Sequence, residues 1–275
     1  MNVCLKDGGG VFSRKALAAV PVLTKLAIAF DDGTLTAGAA LRSVSKAFRH
    51  NLLNLRELRL FDCTVGDGGI RDFMDALDRS RCAHLLVSLS LEGCKVDADG
   101  THALADLLYQ DVFPALEELR LATNSDITDV GVVALAYSLL HTSLRVLVLA
   151  EVGMGDKGIS ALANLVSHGR LKHMEKFSLS ANDHYRGGIT NEGVTYLARA
   201  IDTYGLPALE RFFLNELDQG IMRWTWQEVG AIAQAVIYGC PNLQQISLMG
   251  TGWHGEYYDM LVDMLKAAGR ESIAV

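Results

Sequence analysis

The stretch at residues 116–140, LEELRLATNSDITDVGVVALAYSLL, holds the unit that the rest of the chain repeats. Its first part spaces Leu116, Leu119 and Leu121 among polar residues, the alternation of a strand with one buried face. Its second part sets Val132, Leu135, Ala136 and Leu139 at i, i+3, i+4 and i+7, one face of an α-helix. A single unit therefore contains a strand, a turn and a helix, and the fold follows if the unit recurs.

It does recur. Strand patterns of the form LxxLxL, or close variants, begin at Leu23, Leu55, Leu86, Leu116, Leu144, Met174, Leu209 and Leu243, in steps of 32, 31, 30, 28, 30, 35 and 34 residues. Ile28 stands in for the third leucine of the first copy, and Phe177, Phe212 and Ile246 for the second leucine of later ones. The helical stripe keeps phase too, as Ile70, Phe73, Met74 and Leu77, then Thr101, Leu104, Ala105 and Leu108, and later Ile159, Leu162, Ala163 and Val166. Val194, Leu197, Ala198 and Ile201 follow, and Tyr258, Leu261, Val262 and Leu265 close the series.

Start and stop signals share the phase. Asp67, Asp129, Asp156 and Asn191 each precede a helix-opening glycine by two residues, where a side-chain oxygen can cap the first turn of its own helix. All four prolines, Pro21, Pro114, Pro207 and Pro241, lie two residues before the first apolar residue of a strand, ending one helix and admitting an extended segment.

The segments LRLFDCTVGDGGI, LSLEGCKVDADGTHALADLL, LVLAEVGMGDKGISALANLV and GITNEGVTYLARAI resemble leucine-rich repeats of the ribonuclease-inhibitor-like type, over residues 23–269. The resemblance implies an α/β solenoid of about eight repeats, a curved horseshoe with a parallel sheet on its concave face and helices on its convex face. At the Asn or Cys that follows each strand in this family, Cys63, Cys94, Asn124 and Asn182 match, whereas Asp31, Val152, Leu217 and Thr251 do not. The side-chain ladder is therefore expected to be interrupted, and Glu228, in place of the usual glycine, predicts irregularity in the last third.

Residues 1–22 read as a partial preceding repeat or helix, 23–269 as the repeat domain and 270–275 as a tail. Neither end carries the polar cap that a solenoid needs, which predicts a segment of a larger protein or ends covered by another subunit.

Composition narrows the function. Half of the 275 residues are hydrophobic, ample for a continuous core, and the formal charge of -7 disfavours a phosphate-backbone binder. No nucleic-acid partner is expected. Apolar runs such as residues 16–22 are interrupted by charge and proline well short of a membrane span, so no membrane contact is expected either. Arg14 and Lys15 before ALAAVPVL imitate a signal peptide, but the repeat claims those residues as helix and strand. Five scattered cysteines lack the spacing of a disulfide framework and point to a reducing, cytoplasmic setting.

Motifs that suggest chemistry have simpler readings. Residues 153–158 spell GxGxxG between strand and helix, as a dinucleotide site does, yet they share the phase of TVGDGGI and ITDVGV, and Met154 falls where Val65, Val96 and Ile127 point inward. Cys63 and Cys94 stack one period apart as buried ladder residues, without partners at zinc-like spacing. His168 and His173 read as surface groups beside a helix end. No catalytic residue, cofactor or metal is expected.

Two surfaces remain as candidates. Alternation puts Glu57, Arg59, Phe61, Ser88, Ser90 and Glu92 on the concave side, followed by Glu118 and Arg120, then bland Val146, Val148 and Ala150, then Lys176, Arg211, Phe213 and Asn215. Arginine and aromatic residues anchor interfaces, although an ordinary mixed surface has the same composition. The second surface is the edge made by the long strand-to-helix loops NDHYRGG, NELDQGIMRWTWQE and GTGWHGEYY, which hold Tyr185, Arg186, Arg223, Trp224, Trp226, Trp253, His254 and Tyr257. These side chains either converge into an aromatic and basic patch or fold inward to close the core.

The leading expectation is a non-catalytic scaffold, adaptor or sensor module that holds a protein partner through the concave sheet and the carboxyl-terminal loop edge. The alternative that the resemblance implies is a regulator of a small GTPase, similar to the family's Ran GTPase-activating protein.

Overall fold

The computed structural model describes residues 2–7, 23–30, 54–63, 69–80, 82–182, 188–215, 225–248 and 255–275, the first of these segments by backbone alone. Among the described residues, nine strands lie in one parallel sheet in strict chain order: β1 (Asn2–Asp7), β2 (Lys25–Phe30), β3 (Glu57–Phe61), β4 (Ser88–Glu92), β5 (Glu118–Arg120), β6 (Val146–Val148), β7 (Lys176–Ser178), β8 (Arg211–Phe213) and β9 (Gln245–Ser247). The helices among the described residues are α1 (Gly69–Asp78), α2 (Ala98–Tyr109), α3 (Thr128–Leu139), α4 (Asp156–Ser167), α5 (Asn191–Tyr204), α6 (Trp226–Gly239) and α7 (Gly255–Ala267). Each parallel crossover carries the chain one step along the array, so every coil meets only its neighbours.

The register is set by the row that buries the second leucine of each strand. Leu26, Leu58, Leu89, Leu119, Leu147, Phe177, Phe212 and Ile246 are consecutive partners across the sheet, and all are buried. Slipping one strand by one residue would turn its leucines outward, each at a cost of about 2 kcal/mol. The two phenylalanines that replace leucine meet each other, their rings stacked at 5.9 Å. Helix stripes lie beneath, with Val132, Leu135 and Leu139 of α3 and Ile159, Leu162 and Val166 of α4 fully buried. Tyr258, read as the first apolar residue of the last stripe, is instead exposed, while Leu261 and Leu265 of the same helix are buried.

The sequence pattern begins at Leu23, but the sheet begins earlier, since β1 pairs with β2 in register, Val3 opposite Leu26 and Leu5 opposite Ile28. At the other end residues 270–275 fold back onto the last coil. Ala274 bridges Gln245, its carbonyl accepts from the Ile246 amide at 2.8 Å, and Ile273 is buried. Arg270 donates to the Ile237 and Cys240 carbonyls at 3.0 and 2.8 Å, tying the last segment to the end of α6, where the Cys240 carbonyl also accepts from the Leu243 amide.

Polar side chains tie the coils together. Asn124 donates to the Leu91 and Leu121 carbonyls at 2.8 Å each and accepts from the Val96 amide at 2.9 Å. Asn182 repeats this with the Leu149 and Leu179 carbonyls and the Val152 amide. Cys94 reaches the Leu60 carbonyl at 3.5 Å. Val152 breaks the ladder, as the sequence predicts, and packs in the core while Asn182 satisfies its amide.

The acidic caps act differently from the sequence reading. Asp129 serves the next helix rather than its own: its Oδ1 accepts from the amides of Gly155 and Gly158 at 2.8 and 2.7 Å. Asp156 likewise reaches Thr190, ahead of α5, accepting from its amide at 2.8 Å and its hydroxyl at 2.6 Å. Helical side chains lean toward the amino-terminal end of their helix, which here faces the adjoining loop of the next coil. Asp67 lies outside the described residues.

Glu228 fits the last third through a capping box. Its carboxylate accepts from the Thr225 amide and hydroxyl, both at 2.7 Å, and Thr225 accepts in turn from the Gln227 amide at 3.2 Å. The irregularity predicted there is thus a local exchange of a packed glycine for a buried carboxylate whose Oε2 accepts both bonds.

Candidate protein-recognition surface

Strand alternation and the observed register place the concave candidates in two rows. One runs Lys25, Glu57, Ser88, Glu118, Val146, Lys176, Arg211 and Gln245; the other runs Ala27, Arg59, Ser90, Arg120, Val148, Ser178, Phe213 and Ser247. Strands about 4.8 Å apart let long side chains lean over short neighbours. Ser88, Ser90, Val146, Val148 and Ser178 are consequently buried although alternation faces them to solvent. The usable surface of the wall belongs to the long residues on either side of them.

Those residues fall into two groups. Toward the amino-terminal side, Glu57 pairs with Lys25 and with Arg59, the latter at 3.7 Å, and Arg120 pairs with Glu118 at 3.4 Å, which also accepts from the Ser88 hydroxyl. Phe61 is half-buried beside Glu92. Toward the carboxyl-terminal side, Lys176 holds its ammonium 5.2 Å from the Phe213 ring centroid, and Arg211 stands exposed next to it. Burial and then the positive charges of Arg120 and Arg211 push the Lys176 pKa down, against the pull of Glu92 and Glu118. Among the described residues Arg211 makes no ion pair, so this corner offers an uncompensated cation beside an aromatic face.

One charged line escaped the sequence reading. Arg145 donates to Glu175 at 2.9 Å and meets Glu117 at 3.5 Å, linking three coils just before their strands. The signal was present as alternating charge at the second position of successive strand patterns.

Of the loop-edge candidates, Trp226 and Tyr257 are described. Their rings meet edge to face at 4.8 Å, with Trp226 51% exposed and Tyr257 leaning on the core. Trp226 belongs to the first turn of α6 rather than to the loop, because Thr225 caps the helix immediately before it. Tyr185, Arg186, Arg223, Trp224, Trp253 and His254 lie outside the described residues.

The turn that spells GxGxxG has three of its amide donors committed. The amides of Gly155 and Gly158 go to Asp129, and that of Met154, whose side chain is buried, goes to Asn182 at 3.2 Å. A phosphate there would have to displace a carboxylate. Gly153 adopts φ +69°, and a Cβ on it would sit 2.3 Å from the Ser125 carbonyl oxygen, so this glycine answers a packing need between coils. His168 and His173 are exposed. Among the described residues, no group of three His, Cys, Asp or Glu side chains could hold a metal, and no helix is long and apolar enough to cross a membrane.

A parallel sheet in strict chain order, a helix after each strand from β3 to β9 and a buried Asn/Cys ladder together define a leucine-rich repeat solenoid. A leucine-rich repeat family model matches residues 51–74 and 114–136, two separate copies of the unit. A ribonuclease inhibitor from Sus scrofa is 30% identical over 195 residues, 70% of this chain and 39% of that protein. The chain is a leucine-rich repeat protein of the ribonuclease-inhibitor-like type. It spans well under half the length of that relative.

Proposed function

We propose that this chain is a non-catalytic recognition module that holds a protein partner against its concave sheet and the loop edge around Trp226 and Tyr257. The observation that carries the reading is the corner where exposed Arg211 and partly buried Lys176 flank Phe213. A cation that makes no ion pair among the described residues, beside a half-buried ring, has the composition of an interface anchor. The relative's own name, ribonuclease inhibitor, describes a protein whose target is another protein, which supports the same class. A cytoplasmic setting agrees with four unpaired, buried cysteines among the described residues.

The test is affinity capture from native extract with the unaltered chain and with Arg211→Glu, Phe213→Ser and Trp226→Ser. A partner retained by the unaltered chain and lost by these variants, with unchanged circular dichroism, supports the surface. Retention by all three variants overturns it. Adding candidate small GTPases and following GTP turnover separates recognition from GTPase regulation, because a recognition module leaves the rate unchanged.

A further inference from the structure

The convex side carries a second surface, independent of the concave wall. Along α4 the outward stripe is small, with Ser160, Ala161 and Asn164, whereas the flanking helices raise Tyr137 from α3 and Tyr196 and Tyr204 from α5. These tyrosines are 69%, 45% and 59% exposed. The result is a groove of about 1170 Å³ with α4 as its floor. Repeat phase makes the cause plain, since Ala161 occupies the position that Tyr196 occupies in the next helix. The Tyr196 hydroxyl donates to Glu192 at 2.9 Å, which holds one wall upright.

The groove has the dimensions of one helix. From Glu192 to Thr203 along α5 it runs about 16 Å, three turns, and a helix of that length and about 10 Å width fills a volume of the same order as the groove. Its ends differ in charge. Asp156 and Glu192 outweigh Lys157 at the end where α4 and α5 begin, while His168 and Arg170 stand just past the end of α4 and Arg199 faces the groove from the third turn of α5. The helix dipoles give this arrangement a direction. The helices follow strands of one parallel sheet, so α3, α4 and α5 place their negative dipole ends together at the finishing rim. A guest lying antiparallel brings its positive dipole end to that rim and its acidic first turn to Arg170 and Arg199. Its basic last turn then meets Asp156 and Glu192. A parallel guest with the same charges reverses all of these contacts.

We propose that the groove over α4 binds an amphipathic helix of a partner protein, about three turns long, antiparallel to α3–α5. Its apolar stripe lies between the tyrosine walls, with acidic residues at its start and basic residues at its end.

The test uses fluorescein-labelled synthetic peptides of about 14 residues, long enough to cover the three turns. One carries leucines at i, i+3, i+4 and i+7 with glutamates in its first turn and lysines in its last. A second exchanges the two charge blocks, and a third scatters the leucines. Anisotropy against the full chain, corrected for each peptide's helical content by circular dichroism, is expected to show saturable binding of the first. The second should bind at least tenfold more weakly and the third not at all. Ala161→Tyr fills the groove and should abolish binding; Ser160→Trp, at an exposed position, serves the same purpose if Ala161→Tyr loses helical signal. Arg211→Glu on the concave wall should leave peptide binding unchanged. No binding of the first peptide, equal binding of the second, undiminished binding by the filled variants, or loss with Arg211→Glu each overturns the proposal.

Discussion

Asp129, in the first turn of α3, accepts the backbone amide of Gly158, in the first turn of α4, at 2.7 Å. A residue that looks like a local cap therefore fastens two coils, and its loss should be felt one coil downstream. Asp129→Ala is expected to destabilise the chain by about 1–2 kcal/mol, the usual range for a lost cap. Hydrogen exchange should quicken at the Gly155 and Gly158 amides. Faster exchange confined to α3 would contradict the assignment.

Asn124 is the corresponding tie at the strand-to-helix turn. Asn124→Ala strands the Val96 amide and leaves the Leu91 and Leu121 carbonyls without their side-chain donor, in a region with no access to water. Unsatisfied buried groups cost about 1–3 kcal/mol each, so a loss of about 3 kcal/mol is expected in urea unfolding. A change below about 1 kcal/mol would show that the ladder is dispensable at this coil.

Two helical glycines should respond with opposite signs to alanine. At Gly193 a Cβ would meet Asp156 Oδ1 at 2.3 Å and Ile159 Cγ2 at 2.6 Å, so Gly193→Ala is expected to destabilise by forcing α4 and α5 apart. At Gly230 a Cβ would meet only the end of Met260, at 3.5 Å. Gly230→Ala should stabilise α6 by about 0.5–1 kcal/mol through the smaller entropy of the unfolded chain. Thermal melts of the two variants check both signs.

Alkaline pH should weaken the fold through its thiols. Burial pushes the Cys240 pKa up to about 12 and raises that of Cys82, while Cys94 is raised by its contact with Cys63 and by burial. Above pH 9.0, the ordinary thiol value, the unfolded chain releases protons that the native chain keeps, so stability falls with rising pH up to about 12. Lys176 works in the other direction, since its lowered pKa makes the unfolded chain bind more protons just below 10.5. Comparing urea midpoints of the unaltered chain and Cys240→Ala between about pH 8 and pH 11 isolates the thiol contribution. Equal slopes would show that Cys240 is not protected.

The placement of the strands was legible because the core depends on a one-dimensional pattern. Leu58, Leu89, Leu119 and Leu147 had to share a row, and Phe177 meeting Phe212 follows from the same phase. The strand at Asn2–Asp7 was missed because its distance to Leu23 falls short of the period, although Val3 and Leu5 already alternate. The candidate concave residues were legible as positions, but their burial was not. Whether Ser90 or Val148 reaches solvent depends on which neighbours lean over it, and those belong to other coils.

By itself the sequence determined the repeat, its register and the direction in which each leucine points, because burying an apolar face at a spacing of two or of 3.6 residues is a local requirement. Tertiary structure alone decided which coil Asp129 caps, that Lys176 lies over Phe213, and that small residues on α4 between tyrosines on α3 and α5 leave a groove. Each of these joins atoms one or two coils apart in the chain, and the distance between them exists only once the coils are stacked.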